Sequence, residues 1–208
     1  MRLIAENLAG ERGGEPVFSG ISFSLEETGA LVVIGENGAG KSTLLRIVAG
    51  LLHPASGAVR LEGGGETWPD VAAASHYLGH ENAMKPALTV GENLGYWRDF
   101  LGEQHLTVDE ALDEVGLAGI GHLPFGYLST GQRRRGAIAR MLVSYRPLWL
   151  LDEPTSGLDA RSARMFSALV NAHLGDGGIV VAATHVDLGL REAAQLELGP
   201  VPSPHGAG

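Results

Sequence analysis

Residues 30–50 read ALVVIGENGAGKSTLLRIVAG, and no other stretch constrains the fold as much. The run opens with five apolar residues, Ala30 to Ile34, short and rich in β-branched side chains, which predicts a buried parallel strand. Gly35-Glu36-Asn37-Gly38-Ala39-Gly40-Lys41-Ser42 then satisfies G-x-x-x-x-G-K-[ST], and Leu44, Leu45, Ile47 and Val48 continue at helical spacing. Strand, glycine loop and helix make a phosphate cradle for a physical reason. Glycines let successive N–H groups curl into one concavity, and the helix N-terminus adds the positive end of its dipole. Lys41 then supplies a point charge to the outer phosphates, Ser42 a hydroxyl to Mg²⁺, and Thr43 continues the loop into the helix.

The 208 residues suit one domain, and 44% hydrophobic content is enough for a real core. A net charge of −9 argues against a general nucleic-acid coat, so no nucleic-acid partner is expected. With no cysteine there is neither a disulfide framework nor a thiolate metal site. No run has the length of a transmembrane helix or the makeup of a signal peptide. The expectation is a chain soluble by itself that reaches a membrane through a partner.

Alternation at 2–8 and 21–25 predicts antiparallel strands with one covered face, joined by a polar turn from Glu11 to Glu15. His53 to Gly57 is read as the stop of the first helix. Short strands are expected at Ala58–Glu62, Ser75–Gly79, Pro147–Leu151 and Ile179–Ala183, and a helix through Phe166, Leu169, Val170 and His173. From about 83 to 144 the pattern is helical. Lys41 and Asp152 lie 152 − 41 = 111 residues apart, too far for a simple crossover, which predicts an inserted helical subdomain. Alternating strands and helices predict an α/β core with a mostly parallel sheet. Residues 1–198 form one nucleotide-binding domain in this reading, and the tail 199–208 is expected to be disordered.

Leu148 to Leu151 is an apolar strand ending in Asp152 and Glu153. An acid at such a strand end holds Mg²⁺ in phosphate-loop proteins, which suits Asp152. Glu153, one residue on, can face the γ-phosphate and polarise an attacking water. Ser129, with Thr130, Gly131 and Gln132, opens a further helix and makes a second anion site. One nucleotide needs only one such site in cis, so the second makes sense if it serves the ATP of another copy.

Five ordered motifs resemble those of ATP-binding cassette (ABC) ATPases over about Arg2 to Leu198. GENGAGKST resembles the Walker A loop, LSTGQ the signature, LLDEP the Walker B segment with its glutamate, SGLD (Ser156 to Asp159) the D-loop, and Thr184-His185 the switch histidine. The resemblance implies a P-loop ABC fold, ATP and Mg²⁺ as cofactors, and pairing of two copies on ATP binding. It also implies that Glu153 and His185 serve catalysis and that Asp159 belongs to the nucleotide interface.

Two departures narrow it. No aromatic stands between Asn7 and Val17 where adenine usually stacks. Arg12 is either a guanidinium substitute for it or a solvent arginine. In Tyr77-Leu78-Gly79-His80-Glu81, His80 takes the place of the glutamine that these ATPases present to Mg²⁺. Imidazole suits Mg²⁺ poorly, so His80 is expected to bond the attacking water or a Mg²⁺-bound water. Gly79-His80, Phe18 to Phe23, Glu92-Asn93-Leu94 and the Ser-small-Gly-Gln signature are similar to the ATPases of haem-exporter and cytochrome c maturation complexes, although Glu81 stands where those tend to have Gln.

The resemblance implies an ATP-hydrolysing subunit that powers haem export or haem-chaperone release. It would sit on the cytoplasmic face of the inner membrane, bound to integral membrane subunits. The alternatives are the ATPase of another small-molecule exporter, a soluble DNA- or ribosome-associated ABC ATPase, and a small-molecule phosphotransferase, which leaves LSTGQ and SGLD unexplained. Arg133-Arg134-Arg135 reads as the solvated face of the signature helix, or as a nucleic-acid patch. Tyr96, Trp97 and Phe100 read either as core or as a docking face for a membrane subunit. His76 reads as ordinary strand packing.

Overall fold

The computed structural model describes residues 1–190 and 192–199. The elements begin with strands β1 (Arg2–Arg12), β2 (Glu15–Glu26) and β3 (Ala30–Gly35), then helix α1 (Lys41–Val48) and β4 (Ser56–Glu62). A single turn α2 (Val71–Ala74) leads into β5 (Ser75–Leu78), followed by three helices, α3 (Val90–Leu101), α4 (Val108–Glu114) and α5 (Thr130–Leu142). The chain closes with β6 (Leu148–Asp152), α6 (Ala160–Gly175), β7 (Ile179–Ala183) and β8 (Ala194–Leu198). The α/β class with antiparallel N-terminal strands and a parallel core is as expected. The tail from residue 200 lies outside the described residues.

β2, β1 and β4 form an antiparallel sheet in that order. Its first hairpin turns on Gly13 and Gly14, with φ of 62° and 84°. Two consecutive left-handed residues match the twist of paired strands, so pairing runs on to Arg12 and Glu15, beyond the alternating stretches. The second sheet is parallel, in the order β5–β6–β7–β3–β8. β8 has no counterpart among the strands expected from the sequence. It is an edge strand with mostly exposed side chains, so it carries no apolar run.

The core has two halves, and β6 shows why. Leu148 and Leu150 join one cluster with Leu44, Leu45 and Leu3, between the parallel sheet, α1 and the antiparallel sheet. Trp149 and Leu151 join the other with Phe166, Leu94, Leu112 and Ile138, where α6 and α3–α5 cover the opposite face. A parallel strand buried on both sides reads as a continuous apolar run for this reason. Thr89, Thr107 and Ser129 each start a helix of the insert with a reciprocal capping box.

Helix α1 stops at Val48, earlier than the expected stop at His53–Gly57. Gly50 is left-handed (φ 71°), its N–H meets Ile47 O, and Leu51 N–H reaches back to Arg46 O. These closing bonds end the helix before the proline is reached.

Candidate functional site

The parallel register brings the motif residues to one edge. Val33 and Asp152 both pair with Ala183, and Leu78 pairs with Leu151. The loops after β3, β6, β7 and β5 therefore leave the sheet side by side, carrying Gly35–Gly40, Glu153, His185 and Gly79–His80. Ligands of open α/β sheets bind at such carboxyl ends.

The glycine loop closes tightly. Gly40 caps α1 with φ 95°, and a Cβ there would lie 2.9 Å from the Phe18 ring. Any other residue at that position would be strained and would clash. Lys41 Nζ donates to Gly35 O at 2.8 Å and Glu36 O at 3.0 Å, and stands 3.1 Å from His185 Nε2. Between this loop and the β6 acids lies a cleft of about 160 Å³. Asn37, Gly38, Thr43 and Arg12 line it as well, which puts Arg12 at the rim of the phosphate cradle.

The β6 carboxylate is fixed at both oxygens. Ser42 Oγ donates to Asp152 Oδ1 at 3.0 Å, and the Tyr77 hydroxyl donates to Oδ2 at 3.1 Å. Burial raises the Tyr77 pKa, Arg46 opposes that shift, and the same Arg46–Tyr77 hydrogen bond raises the Arg46 pKa. Ser42 and Asp152 suit Mg²⁺, which takes hard oxygens and commonly shares its shell with waters and phosphates. No group of three or more His, Cys, Asp or Glu among the described residues could hold a metal, so an all-protein cage is not the type. Glu153 follows with a left-handed backbone (φ 44°), its N–H bonded to Ala183 O at 2.8 Å. Its Oε1 stands 3.7 Å from His185 Nε2.

The signature residues are not among those lining this cleft. Ser129 Oγ accepts from Gln132 N–H at 3.3 Å, while Gln132 Oε1 accepts from Ser129 N–H at 2.9 Å. Thr130 and Gly131 pack against Gly157 of the SGLD turn. Asp159 caps α6 by accepting from Ser162 N–H at 2.7 Å, and that bond lowers its pKa. His80 is exposed and is not among the residues lining the cleft.

Two residues of the site were missed in the sequence. Tyr77 carried no motif. Arg134 does not share the solvated face expected for the three arginines: it is buried at 5% exposure. It donates to Gly79 O, Glu153 O and Pro154 O. The signal was present: Arg134 precedes Ala137, Ile138 and Met141 by three, four and seven residues, which is the apolar face. Arg133 and Arg135 are half-buried and bond carbonyls of Gly126 and of Val115 and Gly116.

The α3 aromatics divide. Trp97 Nε1–H donates to Ala83 O at 2.8 Å, and Arg140 lies 5.0 Å from its ring centroid, so it packs internally. Tyr96 and Phe100 stack on each other at 5.7 Å and are 51% and 67% exposed. His76 is strand packing, as expected. Its Nε2 lies 2.7 Å from Ser144 O, and burial, with Arg140 adding to it, pushes its pKa down to about 3.

The ABC transporter family profile matches residues 18–156. The cytochrome c biogenesis ATP-binding export protein CcmA of Chelativorans sp. (strain BNC1) is 65% identical over 96% of this chain and 98% of its own length. Its namesake from Mesorhizobium japonicum is 64% identical over the same shares. Among solved structures, a Pyrococcus furiosus protein assigned as an ABC transporter ATP-binding protein superposes with a TM-score of 0.80. It is 22% identical over 95% of this chain and 98% of that one, and shares the fold. Among the described residues no helix is long and apolar enough to cross a membrane.

Proposed function

The chain belongs to the ABC transporter ATPase family, in the branch of the CcmA export proteins, and from that membership we propose that it is the ATP-hydrolysing subunit of a cytochrome c biogenesis complex. In this reading it powers haem export or release of a haem-loaded chaperone. One observation carries the chemistry: Lys41, Ser42, Asp152, Glu153 and His185 converge on one edge of the parallel sheet, linked by contacts of 3.0–3.7 Å. The names of relatives near 65% identity support the choice of complex.

The steps follow from the positions. The loop N–H groups and Lys41 hold the β- and γ-phosphates of ATP. Ser42 and Asp152 would hold Mg²⁺, which neutralises phosphate charge when bound. Glu153 takes the proton of a water as its oxygen attacks the γ-phosphorus, the β–γ bridging bond breaks, and ADP leaves with the bridging oxygen. His185 stands against both Lys41 and Glu153 and orients the γ-phosphate side. His80 bonds a water at the edge of the site. The nucleotide sandwich is completed by Ser129–Gln132 and the Asp159 turn of a second copy, and Arg12, at the rim of the phosphate cradle, offers its guanidinium plane to the base.

The partners in this reading are integral membrane subunits, and the chain binds the cytoplasmic face of the inner membrane through them. Tyr96 and Phe100 supply the docking face, since both rings stay largely exposed although each rests edge-on against Trp97. The test is genetic. A strain lacking this gene should lose haem-stained c-type cytochromes and regain them with the wild-type gene but not with Glu153→Gln. Normal c-type cytochromes in the deleted strain would refute the assignment to this complex.

A further inference from the structure

Arg134 is a buried cation with no carboxylate in ion-pair range among the described residues. Its guanidinium is satisfied by backbone carbonyls alone. Nη1 donates to Gly79 O at 2.6 Å, Nη2 to Glu153 O at 2.9 Å and Asp152 O at 3.3 Å, and Nε to Pro154 O at 2.9 Å. Burial lowers its pKa, against the pull of Asp152. Burying a charge without a counter-ion is costly, and a guanidinium has the five donors needed to satisfy four carbonyls at once, where an ammonium has three.

The carbonyls it gathers are informative. Three belong to consecutive residues, so the chain from Asp152 to Pro154 wraps around one guanidinium. Glu153 sits at the centre of that wrap with φ 44°, a conformation that persists in a non-glycine residue only where its surroundings over-determine it. The fourth carbonyl, Gly79 O, immediately precedes His80. Arg134 itself lies on α5, one 13-residue helix capped by Ser129 and carrying Thr130, Gly131 and Gln132 in its first turn. A single side chain thus ties the signature helix to the loop that carries Glu153 and to the loop that leads into His80 in the same chain.

We propose that Arg134 is a positioning residue that sets Glu153 and the Gly79–His80 loop according to the seating of α5. Occupation of the signature turn by the nucleotide of a second copy then aligns the hydrolytic base in this chain's own site. The proposal rests on the two-copy reading given above. It makes hydrolysis cooperative in ATP, because each chain's base depends on the nucleotide its α5 contacts.

The test compares full-length wild type, Arg134→Gln, Arg134→Lys and Glu153→Gln, reading mant-ATP affinity, kcat and the Hill coefficient for ATP. In both Arg134 variants kcat should fall by about tenfold to a hundredfold while the mant-ATP Kd stays within about twofold, since small misplacements of a base act on turnover rather than binding. The Hill coefficient should drop toward one. Lysine should not rescue, because one ammonium cannot span the four carbonyls. A folded Arg134 variant with wild-type kcat and Hill coefficient, beside an inactive Glu153→Gln, overturns the positioning role alone. Wild-type kcat in Glu153→Gln overturns the underlying assignment of the base.

If neither Arg134 variant folds, amide hydrogen exchange on Glu153→Gln decides. With saturating Mg-ATP, residues 79–81 and 153–156 should slow together with the start of α5, by about tenfold or more. Slowing of α5 with both loops unchanged overturns the proposal.

Discussion

Lys41 Nζ stands 3.1 Å from His185 Nε2, although 144 residues separate them in the chain. An ammonium has only protons to give, so the ring nitrogen accepts. With Gly35 O and Glu36 O this makes three acceptors for three protons, so a phosphate oxygen reaches the ammonium by taking the place of one of them. Removing that charge should act on nucleotide binding. Lys41→Met is expected to weaken ATP binding by about tenfold to a hundredfold, the range for a hydrogen bond to a charged group. Equilibrium titration checks this, and unchanged affinity would place the phosphates elsewhere.

Tyr77 gives a finer test of the metal carboxylate. Tyr77→Phe removes the donor to Asp152 Oδ2 and leaves the ring in place. The loss of one hydrogen bond, about 1 kcal/mol, should shift the Mg²⁺ concentration for half-maximal ATPase activity by about fivefold. An identical Mg²⁺ dependence would show that the Ser42 contact alone orients Asp152.

The parts legible in the sequence were those set by local physics. A strand, a glycine loop and a helix sit next to one another in the chain, so 30–50 could be read directly. Asp152 and Glu153 could be read because their acidic strand end occurs in the same chain as a glycine phosphate loop. Tyr77 could not, because its role depends on the register of β5 on β6, which no local pattern encodes. Arg134 was hidden by its neighbours, since three consecutive arginines resemble a solvated face until their helical phase is counted. β8 was missed because an edge strand does not require apolar residues.

The exposed aromatic pair should matter for recruitment and little for stability. Tyr96→Glu with Phe100→Glu is expected to leave the folding free energy within about 1 kcal/mol, since neither ring is buried. Co-purification with detergent-solubilised membranes should be lost while ATP binding is kept. Retained co-purification would move the docking face away from α3.

Stability should depend on pH through two buried histidines. Burial pushes His76 down to about 3 and His173 to about 4, from an unfolded value near 6.5. Between those values the unfolded chain binds protons that the folded chain refuses. Stability is therefore full above about pH 6.5 and falls on acidification, by about 1.4 kcal/mol per pH unit for each histidine, until the folded pKa is reached. His76→Gln keeps a donor for Ser144 O and does not titrate. Denaturant melts at pH 7 and pH 5 should show wild type losing about 2 kcal/mol more than this variant. Equal losses would mean that His76 is protonated in the fold.

The central claim is that two copies close around ATP and that Glu153 then activates the water. Light scattering on a sizing column measures this most directly, using Glu153→Gln, which keeps the shape of the side chain and cannot take a proton. With saturating Mg-ATP the variant should run at twice the mass of a single chain, return to single-chain mass when nucleotide is removed, and release no phosphate. A single-chain mass at saturating Mg-ATP, or phosphate release at the wild-type rate, would contradict it.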